Sequence, residues 1–115
     1  MKQYITLEQL EELNNIQLKE LYNLTRNPFL MRLAYEKEYN FKIDVYCRVE
    51  AISRITVGVM IGILESKTKY TQQIINEGGR YCITTNIKGC YTTASETKYY
   101  NELCDALWEA TIHVL

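Results

Sequence analysis

The 115-residue chain holds one proline, one histidine and one tryptophan, and each shortage excludes something. With a single proline, Pro28, and five glycines there is no Pro/Gly-rich linker to divide it, so its length fits one domain, residues 1–115. The lone histidine, His113, restricts nucleophilic chemistry, because a catalytic Ser, Cys or Thr needs an activating base within hydrogen-bond reach. Cys104 and His113 are expected on one helix, where at about 100° per residue they point to roughly opposite sides. The four cysteines, Cys47, Cys82, Cys90 and Cys104, form no Cys-x-x-Cys pair. They read as buried thiols of a reducing compartment rather than as zinc ligands. Phosphate-loop and Rossmann glycine patterns are absent too. No catalytic residue, metal ligand or cofactor is therefore expected, and the chain does not read as an enzyme.

Charge of one sign is also missing. The formal net charge is −1 and the pI about 5.8, whereas nucleic-acid binding usually shows a clustered basic face. Nucleic acid is not the expected partner. Long apolar runs are lacking: Ile55 to Leu64 is interrupted by Thr56, Gly58 and Gly62, and it is about half the length that spans a bilayer. No apolar stretch follows Lys2 as it would in a signal peptide. The expectation is a cytoplasmic protein without a membrane partner.

What is present is an ordinary globular mix, 47% apolar and 23% charged, with clear local punctuation. Thr6 and Gln9 fit a capping box before a helix carrying Leu7, Leu10 and Leu13. Asn14 or Asn15 caps a second piece with Leu18, Leu21 and Tyr22 on one face. Asn27-Pro28 reads as N-cap and N1 of a third helix, to about Glu38. From Phe41 to Ala51 apolar and polar residues alternate with a period of two, which predicts a half-buried strand. Thr56 caps a short, largely buried helix over Val57–Ser66, whose Gly58 and Gly62 allow close approach to a neighbour. Tyr70–Asn76, Arg80–Asn86 and Cys90–Thr93 read as an antiparallel meander, with turns at Gly78-Gly79 and at Asn86–Gly89. A plain turn is favoured at Gly78-Gly79-Arg80 over a small anion site. Ser95 caps a last amphipathic helix that places Tyr100, Leu103, Cys104, Leu107, Trp108 and Thr111 on the sheet, with Glu102, Asp105 and Glu109 facing solvent. The predicted class is α+β: N-terminal helices, a small mostly antiparallel sheet with a short buried helix, and a C-terminal helix packed on that sheet.

Ten tyrosines are the compositional oddity. Tyrosine suits binding surfaces because it joins a rigid apolar ring to a polar tip; AT-rich codon usage accounts for the same enrichment. The candidate binding residues are Tyr46, Arg48, Tyr70, Arg80, Tyr81, Tyr91 and Tyr99.

Three segments carry a resemblance: Met1-Lys2-Gln3-Tyr4-Ile5-Thr6-Leu7-Glu8-Gln9-Leu10, then Ile55-Thr56-Val57-Gly58-Val59-Met60-Ile61-Gly62-Ile63-Leu64-Glu65, and Glu102-Leu103-Cys104-Asp105-Ala106-Leu107-Trp108-Glu109-Ala110. Together they resemble small phage- and prophage-encoded proteins of Firmicutes that have no assigned activity. Gly58 and Gly62 stand where such proteins are expected to hold larger or charged residues, implying a more buried helix here. The resemblance implies a phage accessory protein in a bacterial cytosol. Two functional expectations follow. One is a non-enzymatic inhibitor that binds and blocks a host protein, as an anti-defence protein would. The other is a sponge, formed between subunits of a homo-oligomer, that sequesters a nucleotide-derived signal with Arg48, Arg80 and the tyrosines.

Overall fold

The computed structural model describes residues 2–40, 45–67, 70–87 and 95–115. Its elements are α1 (Leu7–Glu11), α2 (Asn15–Thr25), α3 (Pro28–Tyr39), α4 (Val45–Ser53), α5 (Val57–Lys67), β1 (Tyr70–Glu77), β2 (Arg80–Ile87), β3 (Ser95–Glu96) and α6 (Leu103–Val114). The class is α+β, and α6 packs on the sheet through β2.

The helix starts are set by side chains that satisfy otherwise orphaned backbone N–H groups. Thr6 with Gln9 and Asn14 with Gln17 both form complete capping boxes. Asn27 accepts from the Phe29 N–H while Pro28 fills N1. Thr56 Oγ1 accepts from the Val59 N–H at 3.2 Å. Among the described residues one buried cluster runs from Ile5, Leu10 and Leu21 through Leu30, Ala51 and Met60 to Ile83, Leu107 and Trp108.

β1 and β2 form a regular antiparallel hairpin, from Tyr70 opposite Ile87 to Glu77 opposite Arg80. Its turn is Gly78-Gly79, with φ of 58° and 79°, the pair of positive values a two-residue turn of matching twist requires. The order is β1-β2-β3. The chain returning from β3 continues along β2: Thr97 donates its backbone N–H to the Ile83 carbonyl, its Oγ1 accepts from the Ile83 N–H, and Tyr100 pairs with Tyr81.

Four expectations need correction or fall outside these residues. The alternating segment is helical from Val45 to Ser53; Phe41–Asp44 lie outside the described residues. In α4 the apolar positions divide, Cys47 and Ala51 facing the core and Val45 and Val49 facing out. Ser95 belongs to β3 rather than to a cap, and α6 begins after Glu102, which makes no side-chain cap bond. Tyr100 therefore precedes the last helix. The strand expected at Cys90–Thr93 and the end of the turn before it, Lys88-Gly89, lie outside the described residues. Finally, Gly58 and Gly62 do not mediate close packing. They are exposed, and a Cβ would meet only Thr56 Oγ1 at 3.9 Å from Gly58 and nothing within 4 Å from Gly62.

Candidate functional site

The residues singled out from the sequence fall into two groups. Arg80, Tyr81 and Tyr99 gather at the turn end of the hairpin. Arg80 sits opposite Glu77, whose carboxylate accepts a 3.4 Å hydrogen bond from the Tyr99 hydroxyl. Arg80 and Tyr99 are exposed and Tyr81 half-buried. Desolvation and the neighbouring Glu77 charge hold the Tyr99 phenol above its ordinary range. Tyr70 lies in β1 opposite Ile87, and Tyr91 lies outside the described residues. The second group is Tyr46 and Arg48 on α4, a helix that packs mainly on α3 and α1.

Arg48 lines a cleft of about 440 Å³ formed by Leu10, Glu11, Leu18, Leu33, Glu36, Lys37 and Arg48. The floor is apolar: Leu10 and Leu18 are 1% exposed and Leu33 4%. The walls are charged. Arg48 Nη1 donates to Glu11 Oε1 at 2.6 Å, and Nη2 donates to Glu36 Oε1. Arg48 and Glu36 are largely covered, whereas the Glu11 side chain is 50% exposed. Lys37 Nζ donates to the Glu11 carbonyl at 2.7 Å and to that of Leu13, carbonyls left without helical partners at the end of α1. Two carboxylates and two cations thus face one another across a leucine floor. Concave apolar surface with a few convergent polar groups is the common form of a small-ligand site. The sequence reading named Arg48 but missed Glu11, Glu36 and Lys37; Glu11 and Glu36 lie 37 and 12 residues from Arg48, with no local pattern to reveal them.

The outer side of the same helix is apolar. Val45, Tyr46 and Val49 are 69%, 66% and 50% exposed, and Tyr35 and Tyr39 on α3 are exposed as well. Tyr46 meets the Phe29 ring edge-on at 6.4 Å, and the Tyr35 and Tyr39 rings lie 6.0 Å apart. Five of the nine large apolar side chains exposed among the described residues are on α3 and α4.

The acidic face expected on α6 is used internally. Lys2 donates its backbone N–H to Glu102 and its Nζ to Asp105 Oδ1 at 2.5 Å, Gln9 Nε2 bonds the same oxygen, and Glu109 accepts the Lys98 N–H. These bonds fasten the N-terminal segment and the β3–α6 connection to α6. Burial raises the Cys104 thiol, opposed by Lys2 and reinforced by Asp105 and Glu102, which keeps it protonated and a poor nucleophile. Among the described residues no group of His, Cys, Asp and Glu is placed to hold a metal ion, and no helix is long and apolar enough to cross a membrane. No family model matches the chain, and neither does any curated protein or solved structure.

Proposed function

We propose that this is a non-catalytic binding protein that docks on a macromolecular partner through the outer faces of α3 and α4. The observation that carries the reading is the exposed apolar side of α4, where Val45, Tyr46 and Val49 face out while Cys47 and Ala51 on the opposite side fill the core. Contiguous exposed apolar surface on a small domain marks an interaction site more often than chance, and tyrosine is enriched in such contacts. The phage-like segments of the sequence make a host protein the class of target, and a component of host defence the form of target that a blocking protein would serve. The two arginines of the rival sponge reading fall apart, Arg80 at the turn of the hairpin and Arg48 on α4, where two carboxylates hold it.

The test is capture from bacterial lysates on immobilised protein, comparing the parent with Tyr46→Glu/Val49→Glu. The expected outcome is a stoichiometric host protein recovered by the parent and lost with the double variant, at unchanged circular dichroism. Equal recovery by both, or no recovery from hosts carrying diverse defence systems, overturns the reading.

A further inference from the structure

We infer that the Arg48 cleft is a binding site for a carboxylate borne on an apolar body, and that Glu11 is an internal, displaceable substitute for that carboxylate. The two acids that hold Arg48 are not equivalent. Glu36 is 16% exposed and sits within α3, so it fixes the guanidinium in place. Glu11 is 50% exposed at the last residue of a five-residue helix, and its side chain can turn out to water without uncovering the core. An exposed carboxylate of this kind holds its partner weakly.

When Glu11 turns out, the charge of the described cleft residues goes from balanced to net positive. Arg48 and Lys37 then face a single carboxylate, Glu36, and the Arg48 Nη1 that Glu11 occupied at 2.6 Å is left facing the cleft. An incoming carboxylate takes that position with the planar geometry that guanidinium groups favour. Lys37 is tied to the end of α1 through the Glu11 and Leu13 carbonyls and supplies a second positive charge to the same wall. The leucine floor and the 440 Å³ volume take the apolar body, a size within the ordinary range of ligand pockets, about 300–1,000 Å³. A cation would have to displace the better-covered Arg48 and abandon Glu36, which the burial of that pair disfavours.

Isothermal titration calorimetry on the intact chain tests this. The probes are octanoate, with 1-octanol as its uncharged control, and a short leucine-terminated peptide, with its C-terminal amide as control. Binding of octanoate marks a free amphiphilic acid as the source, and binding of the peptide acid alone marks a protein C-terminus. In either case Glu11→Gln removes the internal competitor and is expected to tighten binding roughly two- to fivefold. Arg48→Gln is expected to weaken it about tenfold or more. Should Arg48→Gln fail to fold, Glu11→Gln still decides, because its side chain is half exposed. The inference is overturned if neither acid binds, if the neutral controls bind as well as the acids, or if Glu11→Gln leaves the affinity unchanged or lowers it.

Discussion

The two ends of the chain use their apolar residues differently. In the C-terminal part, α5, β1, β2 and α6 cover each other: Met60, Leu64, Cys82, Ile83, Cys104, Ala106 and Leu107 are at most 1% exposed, and even Trp108 is only 3%. The polar groups there serve the fold, as Thr111 shows by donating to the Leu107 carbonyl at 2.7 Å. In the N-terminal part, α1 to α4 build an equally covered leucine core and then carry further apolar side chains on the outside, together with a charged cleft. The surplus is informative because the core does not need it. Among the described residues the C-terminal part leaves only Ile74 and Tyr99 exposed as large apolar side chains, against seven before α5, and the proposed function places recognition on that larger surplus.

The sharpest way to break this comparison is Trp108→Ala. The ring sits in the shared cluster with Cys104, Leu107 and Thr111 around it on α6, so its loss should cost about 3–5 kcal/mol. That is a large share of the roughly 5–15 kcal/mol of a small domain. Urea unfolding reads it directly, and a loss below about 1 kcal/mol would move Trp108 from the core to the surface. Next comes Asn27→Ala. Asn27 is 2% exposed, and it caps α3 while donating Nδ2 to the Ala51 carbonyl at 2.9 Å. Removing it should cost about 1–3 kcal/mol, because it ties α4 to the start of α3. A neutral result would mean that α4 is held by its packing alone.

Much of this was legible in the sequence, and the reasons are local. Thr6, Asn14, Asn27-Pro28 and Thr56 announce helix starts through chemistry confined to three or four residues, and Gly78-Gly79 announces its turn in the same way. Residues 45–51 misled because period-two alternation of Val45, Cys47, Val49 and Ala51 looks like one strand face. On a helix the same residues split into two pairs four apart, one buried and one exposed, and the β-branched valines point the same wrong way as the alternation. Tertiary packing on α3 overrides both signals. Ser95-Glu96 misled because the segment reads equally as a helix cap; only pairing with β2, at Thr85 ten and Thr84 twelve residues earlier, decides between them. The Arg48 cleft was half visible, since its other charges come from α1 and α3.

Gly62→Ala is a smaller effect of opposite sign. The position is helical, exposed and open, so alanine should stabilise by about 0.5–1 kcal/mol. Destabilisation would restore a close-packing role for this glycine. Smaller still is an alkaline trend. The Cys104 thiol is raised first by burial, and the Tyr100 phenol by burial and then by the Glu109 charge. In the unfolded chain these groups ionise near their ordinary values, about 8.5 and 10, before they do so in the folded protein. Their contribution is therefore complete below those values and declines as pH rises through the folded ones. Melting temperature should fall above about pH 9, and Tyr100→Phe should flatten the part of that fall above pH 10. An identical alkaline slope in Tyr100→Phe would contradict the assignment.

The most direct test of the comparison is the stability of Tyr46→Ser/Val49→Ser measured by urea unfolding. If the outer face of α4 exists for recognition, the double variant unfolds within about 0.5 kcal/mol of the parent, as exposed substitutions away from caps and cores do. A loss of 3 kcal/mol or more, on the scale expected of Trp108→Ala, would show that the fold itself covers this face and would contradict the division between the two ends of the chain.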